Sequence, residues 1–119
     1  MIEQHIDRGH HPDKWVVIDY TSKIGKPEYS LMCSWYGGFA GADSWRRSSP
    51  IVSVEHTRTN DAYVWDGWVA TTGSGTKYYL YKGTIGVSML TSGLLEQASL
   101  DYIGEWEEAD KIFKECNNV

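Results

Sequence analysis

The run richest in chemistry in this sequence is Asp43-Ser44-Trp45-Arg46-Arg47-Ser48-Ser49, which follows a Gly37-Gly38 step. Phosphate recognition needs donors that crowd around several oxygens at once. Arg supplies a planar fork of N–H groups, Ser a rotatable hydroxyl, and Gly lets backbone amides approach closely. All three stand together in an aperiodic stretch, residues 37–50, that reads as a structured loop. The expected ligand is a small, nucleotide-like anion, with Arg46, Arg47, Ser44 and Ser49 on its phosphate. Trp45, Trp35 or Tyr36 would stack its base, and Asp43 completes the candidate set. The plain alternative pairs one arginine with Asp43, leaves the other in water, and has the glycines merely turn the chain.

Other groups carry weaker signals. Gly73-Ser74-Gly75-Thr76-Lys77 lacks phosphate-loop spacing and precedes a strand rather than a helix, so it reads as a hairpin tip. His5, His10 and His11 lie with Asp7 and Asp13 in a polar lead, but their spacing fits no standard metal site, and no metal or other cofactor is expected. Glu55 and His56 are neighbours on one strand, so they point to opposite faces and cannot act together without groups from elsewhere in the fold. No nucleophile elbow, metalloprotease helix or dinucleotide fingerprint is present, and the expectation is a binder, not an enzyme.

These side chains need a frame. Residues 14–22 are rich in β-branched and aromatic residues, and residues 28–36 alternate Tyr29, Leu31, Cys33 and Trp35 against Ser30, Met32, Ser34 and Tyr36, the pattern of a hairpin with one drier face. Further strands are expected over residues 51–58, 62–70 and 76–82, with a bend at Asp66-Gly67. A short helix is expected from about Thr91, and Trp106, Ala109, Ile112, Phe113 and Cys116 recur at helical spacing over a polar face. The fold class expected is α+β: a small antiparallel sheet of about five strands, with a short helix and a C-terminal amphipathic helix packed on it. The chain is expected to be one domain, with residues 1–13 a loose arm, 14–82 the sheet and 83–119 mainly helical.

Six Trp and eight Tyr against two Phe favour rings with a polar handle, suited to surfaces packed on one side and wet on the other. Trp15, Trp106 and one of Trp65 and Trp68 are the expected core tryptophans; Trp35, Tyr36, Phe39, Trp45 and Tyr79 are candidates for a ligand or partner face. Cys33 and Cys116 both have apolar neighbours and are expected as buried, reduced thiols. A net charge of −5 argues against sequence-independent nucleic-acid binding, and sequence-specific binding is not expected either. No apolar run is long enough for a bilayer, and residues 1–8 show no apolar segment behind a basic one, so the expected location is cytoplasmic, with no membrane contact.

Across roughly residues 14–90, the order Trp35-Tyr-Gly-Gly38, Gly41-Ala-Asp-Ser-Trp-Arg46, Ser49-Pro-Ile-Val52 and Gly73-Ser-Gly-Thr-Lys-Tyr78 resembles small accessory proteins encoded by tailed bacteriophages. That resemblance implies antagonism of host defence in one of two modes. One is a sponge that sequesters a nucleotide immune signal, similar in role to anti-Thoeris and anti-CBASS sponges, and expected as a homo-oligomer. The other is an anti-CRISPR-like inhibitor that binds a host defence protein through exposed aromatics and the acidic residues Glu105, Glu107 and Glu108. A small nucleotide-processing enzyme is a third alternative.

Overall fold

The structure, a computed structural model, describes residues 9–37, 43–57 and 66–117. It is α+β, as expected, but its strands form two antiparallel sheets instead of one. The first has the order β3 (Ser44–Arg47), β2 (Tyr29–Trp35), β1 (Lys14–Asp19) and β7 (Asp101–Ile103). The second has the order β4 (Ile51–Thr57), β5 (Gly67–Thr72) and β6 (Lys77–Tyr81). Alternation in a sequence marks each strand and its two faces, but says nothing about which strand it pairs with.

β1 and β2 pair in continuous register, Lys14 against Ser34 to Asp19 against Tyr29. Between them the chain makes a single helical turn, α1 (Thr21–Ile24), ended by Gly25 in the left-handed region at φ 78°. Trp15, Val17, Leu31 and Cys33 face inward and meet Val54, Trp68, Ala70, Tyr78 and Leu80 of the second sheet. The opposite face of β1 and β2 is covered too, because α2 (Met89–Gln97) sets Leu95 against Val16, Ile18 and Met32. Both faces of β2 are therefore buried, including Ser30 and Ser34 on the side that the sequence marks as wetter. Ser30 Oγ bonds Tyr20 Oη at 2.9 Å, while Ser34 Oγ has no partner.

The C-terminal helix α3 (Trp106–Asn117) inserts its apolar stripe into the inter-sheet core. Trp106 and Phe113 lie 6.3 and 6.2 Å from the Trp15 ring, and Phe113 lies 5.8 Å from Trp68. The core tryptophans expected from the sequence are thus in place, with Trp68 filling the place left open between it and Trp65, which lies outside the described residues. Cys33 is fully buried and its thiol pKa is driven far up by desolvation. Cys116 is exposed, contrary to expectation: the buried stripe of α3 ends at Phe113, one turn before it.

Residues 83–119 are less helical than expected. After β6 the chain makes a 3-10 turn over Lys82–Thr84, then Ile85 bridges Trp15, and α2 begins at Met89, capped by Ser88, whose Oγ accepts from Thr91 N at 3.1 Å. β7 returns the chain to β1. Gly67, expected at a bend, stays in register with Thr57 and Tyr81. Glycine is needed there because a Cβ would stand 2.5 Å from the Leu80 carbonyl oxygen. The irregularity falls instead between Ile51 and Ser53.

α3 is tied to the second sheet by Asp110, whose carboxylate accepts from Trp68 Nε1 and pairs with Lys114, both at 2.9 Å. Burial alone would raise its pKa; the bonds from Lys114 and Trp68 and the lysine charge outweigh that and hold it below the ordinary 3.8. A depressed carboxylate contributes stability above its unfolded pKa and loses it as pH falls through the folded one. Asp110→Asn should therefore melt below the wild type at neutral pH. The gap should close as pH drops below 3.8, which thermal melts across that range check directly.

Candidate anion-binding cleft

The stretch read as a loop over residues 37–50 contains a strand, β3, paired antiparallel with β2 as Met32 to Arg47, Cys33 to Arg46, Ser34 to Trp45 and Trp35 to Ser44. Cross-strand partners share a face, and successive residues alternate. Arg46 and Ser44 therefore fall on the inner side with Cys33 and Trp35. Arg47 and Trp45 fall on the side that carries α2. The adjacent arginines do not form one clamp, because a strand turns neighbours apart where a loop could have brought them together.

Arg47 is engaged on its own face. Its Nε and Nη2 donate to Tyr20 Oη at 2.9 and 2.7 Å, with the guanidinium 5.4 Å from that ring. Asp43 pairs with neither arginine; its Oδ1 accepts from Gly37 N at 3.0 Å and braces the connection between β2 and β3. Ser49 lies at the β5–β6 hairpin, where its Oγ accepts from Ser74 N at 3.1 Å. Tyr36 is half exposed and held by its backbone, Tyr36 N donating to Asp13 Oδ2 at 2.8 Å. Phe39 lies outside the described residues.

Arg46, Ser44, Trp35 and Trp45 do come together, in a cleft of about 360 Å³ whose remaining wall is His10. The sequence predicts a loose arm over residues 1–13; among residues 9–13 the structure overturns that expectation. His10 N donates to Lys77 O at 2.9 Å and Tyr79 N donates to His10 O at 2.8 Å, a parallel bridge to the edge of β6. Asp13 N then donates to Ser34 O at 3.0 Å, and Trp35 Nε1 to His11 O at 3.1 Å. The segment is thus a strap from the edge of one sheet to the other. A single bridge has no period, so no sequence pattern marks it; residues 1–8 lie outside the described residues.

Within the cleft, the His10 ring packs 5.6 Å from Trp35, edge to face, and 5.2 Å from Tyr78. Burial, the Arg46 charge and then that of His11 push the His10 pKa below the ordinary histidine value of 6.5, so the ring is neutral at neutral pH. The Arg46 guanidinium is within hydrogen-bonding reach of the buried Tyr78 hydroxyl. Desolvation raises the Tyr78 pKa, which keeps that hydroxyl a neutral donor or acceptor. The ion pairs formed among the described residues, His56–Asp66 and Lys114–Asp110, leave Arg46 without a carboxylate partner.

The arrangement offers one guanidinium, one neutral imidazole, the Ser44 and Tyr78 hydroxyls and the Trp35 indole, while Trp45, turned to the α2 face, also borders the cleft. That set can hold an anion beside a flat ring. Among the described residues no cluster of His, Cys, Asp and Glu is suited to a metal ion, and no helix is long and apolar enough to cross a membrane. The acidic residues Glu105, Glu107 and Glu108 lie on or beside α3, across the first sheet from the exposed apolar residues Met89 and Leu90 of α2, so they do not form one patch. No protein-family model matches the chain, and no curated protein or solved structure was found to be similar to it.

Proposed function

We propose that this protein is a non-enzymatic binder that holds a small, nucleotide-like anion in the cleft between β3 and the His10 strap. The observation that carries this reading is the placement of Arg46, with no carboxylate partner among the described residues, in a cleft that Trp35, Trp45, Ser44 and His10 also line. A guanidinium takes two oxygens of a phosphate in parallel, and an indole accepts the face of any base. The cleft volume of about 360 Å³ is in the range of small-ligand sites and suits about one nucleotide unit.

Sequestration of a signalling nucleotide, as a tailed-phage antagonist of host defence would practise it, requires that the ligand be released unchanged. Calorimetry against cyclic dinucleotides and ADP-ribose isomers, followed by chromatography of the released ligand, tests both halves. Saturable binding with intact ligand is the expected result. Absence of heat at high micromolar concentrations would remove the reading, and a cleaved ligand would replace it with an enzyme. Light scattering with and without ligand tests the expected homo-oligomer.

A second reading rests on the outer side of α2, where Met89 is 95% exposed beside Leu90, and Leu94 lines a cleft with Trp45 and Arg47. Apolar side chains left in water on one helix face favour a protein partner. Met89→Glu with Leu90→Glu would abolish inhibition of such a partner while leaving the β3 cleft unaltered.

A further inference from the structure

We infer that the charged group selected by this cleft is a phosphodiester rather than a terminal phosphate. The inference rests on the binding reading above and deepens it. Among the described residues, Arg46 is the one cationic side chain lining the cleft; His10, Ser44, Trp35 and Trp45 supply no further positive charge at neutral pH.

Arg47, which would have made a second cation, is turned to the other face of β3 and bound to Tyr20. Lys77 is a neighbour in sequence of Tyr78, but it pairs with Thr71 and lies on the opposite pleat, away from the inner face. A phosphodiester has one negative charge shared by two free oxygens, which one guanidinium fork matches in both charge and geometry. A terminal phosphate has close to two charges on three oxygens at neutral pH. Its third oxygen and second charge would meet no further cation among the described residues, in a chain whose net charge is already −5.

The ligand class that follows is a linear or cyclic dinucleotide or a cyclic mononucleotide, with one phosphodiester seated on Arg46.

The test uses the full chain and three probes that differ only at the phosphate: a nucleoside, its 5′-monophosphate, and the methyl ester of that monophosphate. Each set is titrated by calorimetry above neutral pH for adenine, guanine, cytosine and uracil. For at least one base, the methyl ester should bind about tenfold more tightly than the nucleoside and severalfold more tightly than the monophosphate. Arg46→Ala should erase both differences.

Tighter binding of the monophosphate than of its ester would overturn the phosphodiester inference while leaving the anion cleft intact. Equal binding of all three would overturn the anionic part of the proposed function and leave a base-stacking site. If no probe binds in any series, the cleft is not a nucleotide site and both readings fall. Retention of the monophosphate-to-ester difference in Arg46→Ala would place the selecting charge elsewhere and also overturn the inference.

Discussion

Arg46→Ala should weaken binding of an anionic nucleotide by about 10- to 100-fold, because it removes charge-assisted hydrogen bonds worth roughly 1.5–3 kcal/mol. Arg47→Ala should leave the same affinity unchanged. The asymmetry is the informative result, since the residues are neighbours in the sequence and identical in type. It follows from the pleat of β3, which sets Arg46 beside Cys33 and Arg47 beside Met32. The guanidinium of Arg47 already has its partner, Tyr20 Oη, which in turn bonds Ser30 Oγ. Its loss should therefore register as a small fall in melting temperature, and Arg46→Ala, which takes a donor from the buried Tyr78 hydroxyl, should show a fall of similar size. Calorimetry and thermal melts on the two single variants give four numbers, and equal losses of affinity for both would mean that β3 does not hold this register.

The largest loss of stability is expected at Trp15. Its side chain is fully buried where β1, α3 and the second sheet converge, packed against Trp106 and Phe113. Its Nε1 donates to Tyr81 O at 3.1 Å and to Thr84 Oγ1 at 3.0 Å. Trp15→Ala combines lost transfer energy with a cavity that two sheets and a helix cannot all close, for a cost of about 3–5 kcal/mol. A domain of this size has roughly 5–15 kcal/mol in total, so the variant should be marginal or unfolded at room temperature.

Trp15→Phe separates packing from hydrogen bonding. It keeps an aromatic ring in the core, and the acceptors it strands are not wholly orphaned, because Thr84 Oγ1 donates to Tyr81 O at 3.0 Å. Its cost should be nearer 1–2 kcal/mol by chemical denaturation. A Trp15→Ala protein with near-normal stability would show that the two sheets are not joined through this residue.

The fold class and the main elements were legible in the residues because they depend on local periodicity. Alternation in 28–36 placed β2, and the 3.6-residue recurrence of Trp106, Ala109 and Phe113 placed α3, since burial of one face imposes that spacing wherever the partner lies. The sequence also singled out Arg46, Arg47, Ser44, Ser49, Trp45, Trp35, Tyr36 and Asp43 for an anionic ligand, of which Arg46, Ser44, Trp35 and Trp45 line one cleft. It could not separate Arg46 from Arg47, because that depends on whether the segment is loop or strand, and β3 is a short edge strand with all four residues exposed and no apolar alternation to announce it.

Two sheets rather than one, the burial of Ser30 and Ser34 under α2, and the recruitment of His10 were likewise decided only by the tertiary structure. Each depends on pairing between segments far apart in the chain. A bridge such as His10 to Tyr78 forms through backbone N–H and C=O groups that every residue but proline possesses, so the side chains along the sequence carry no mark of it.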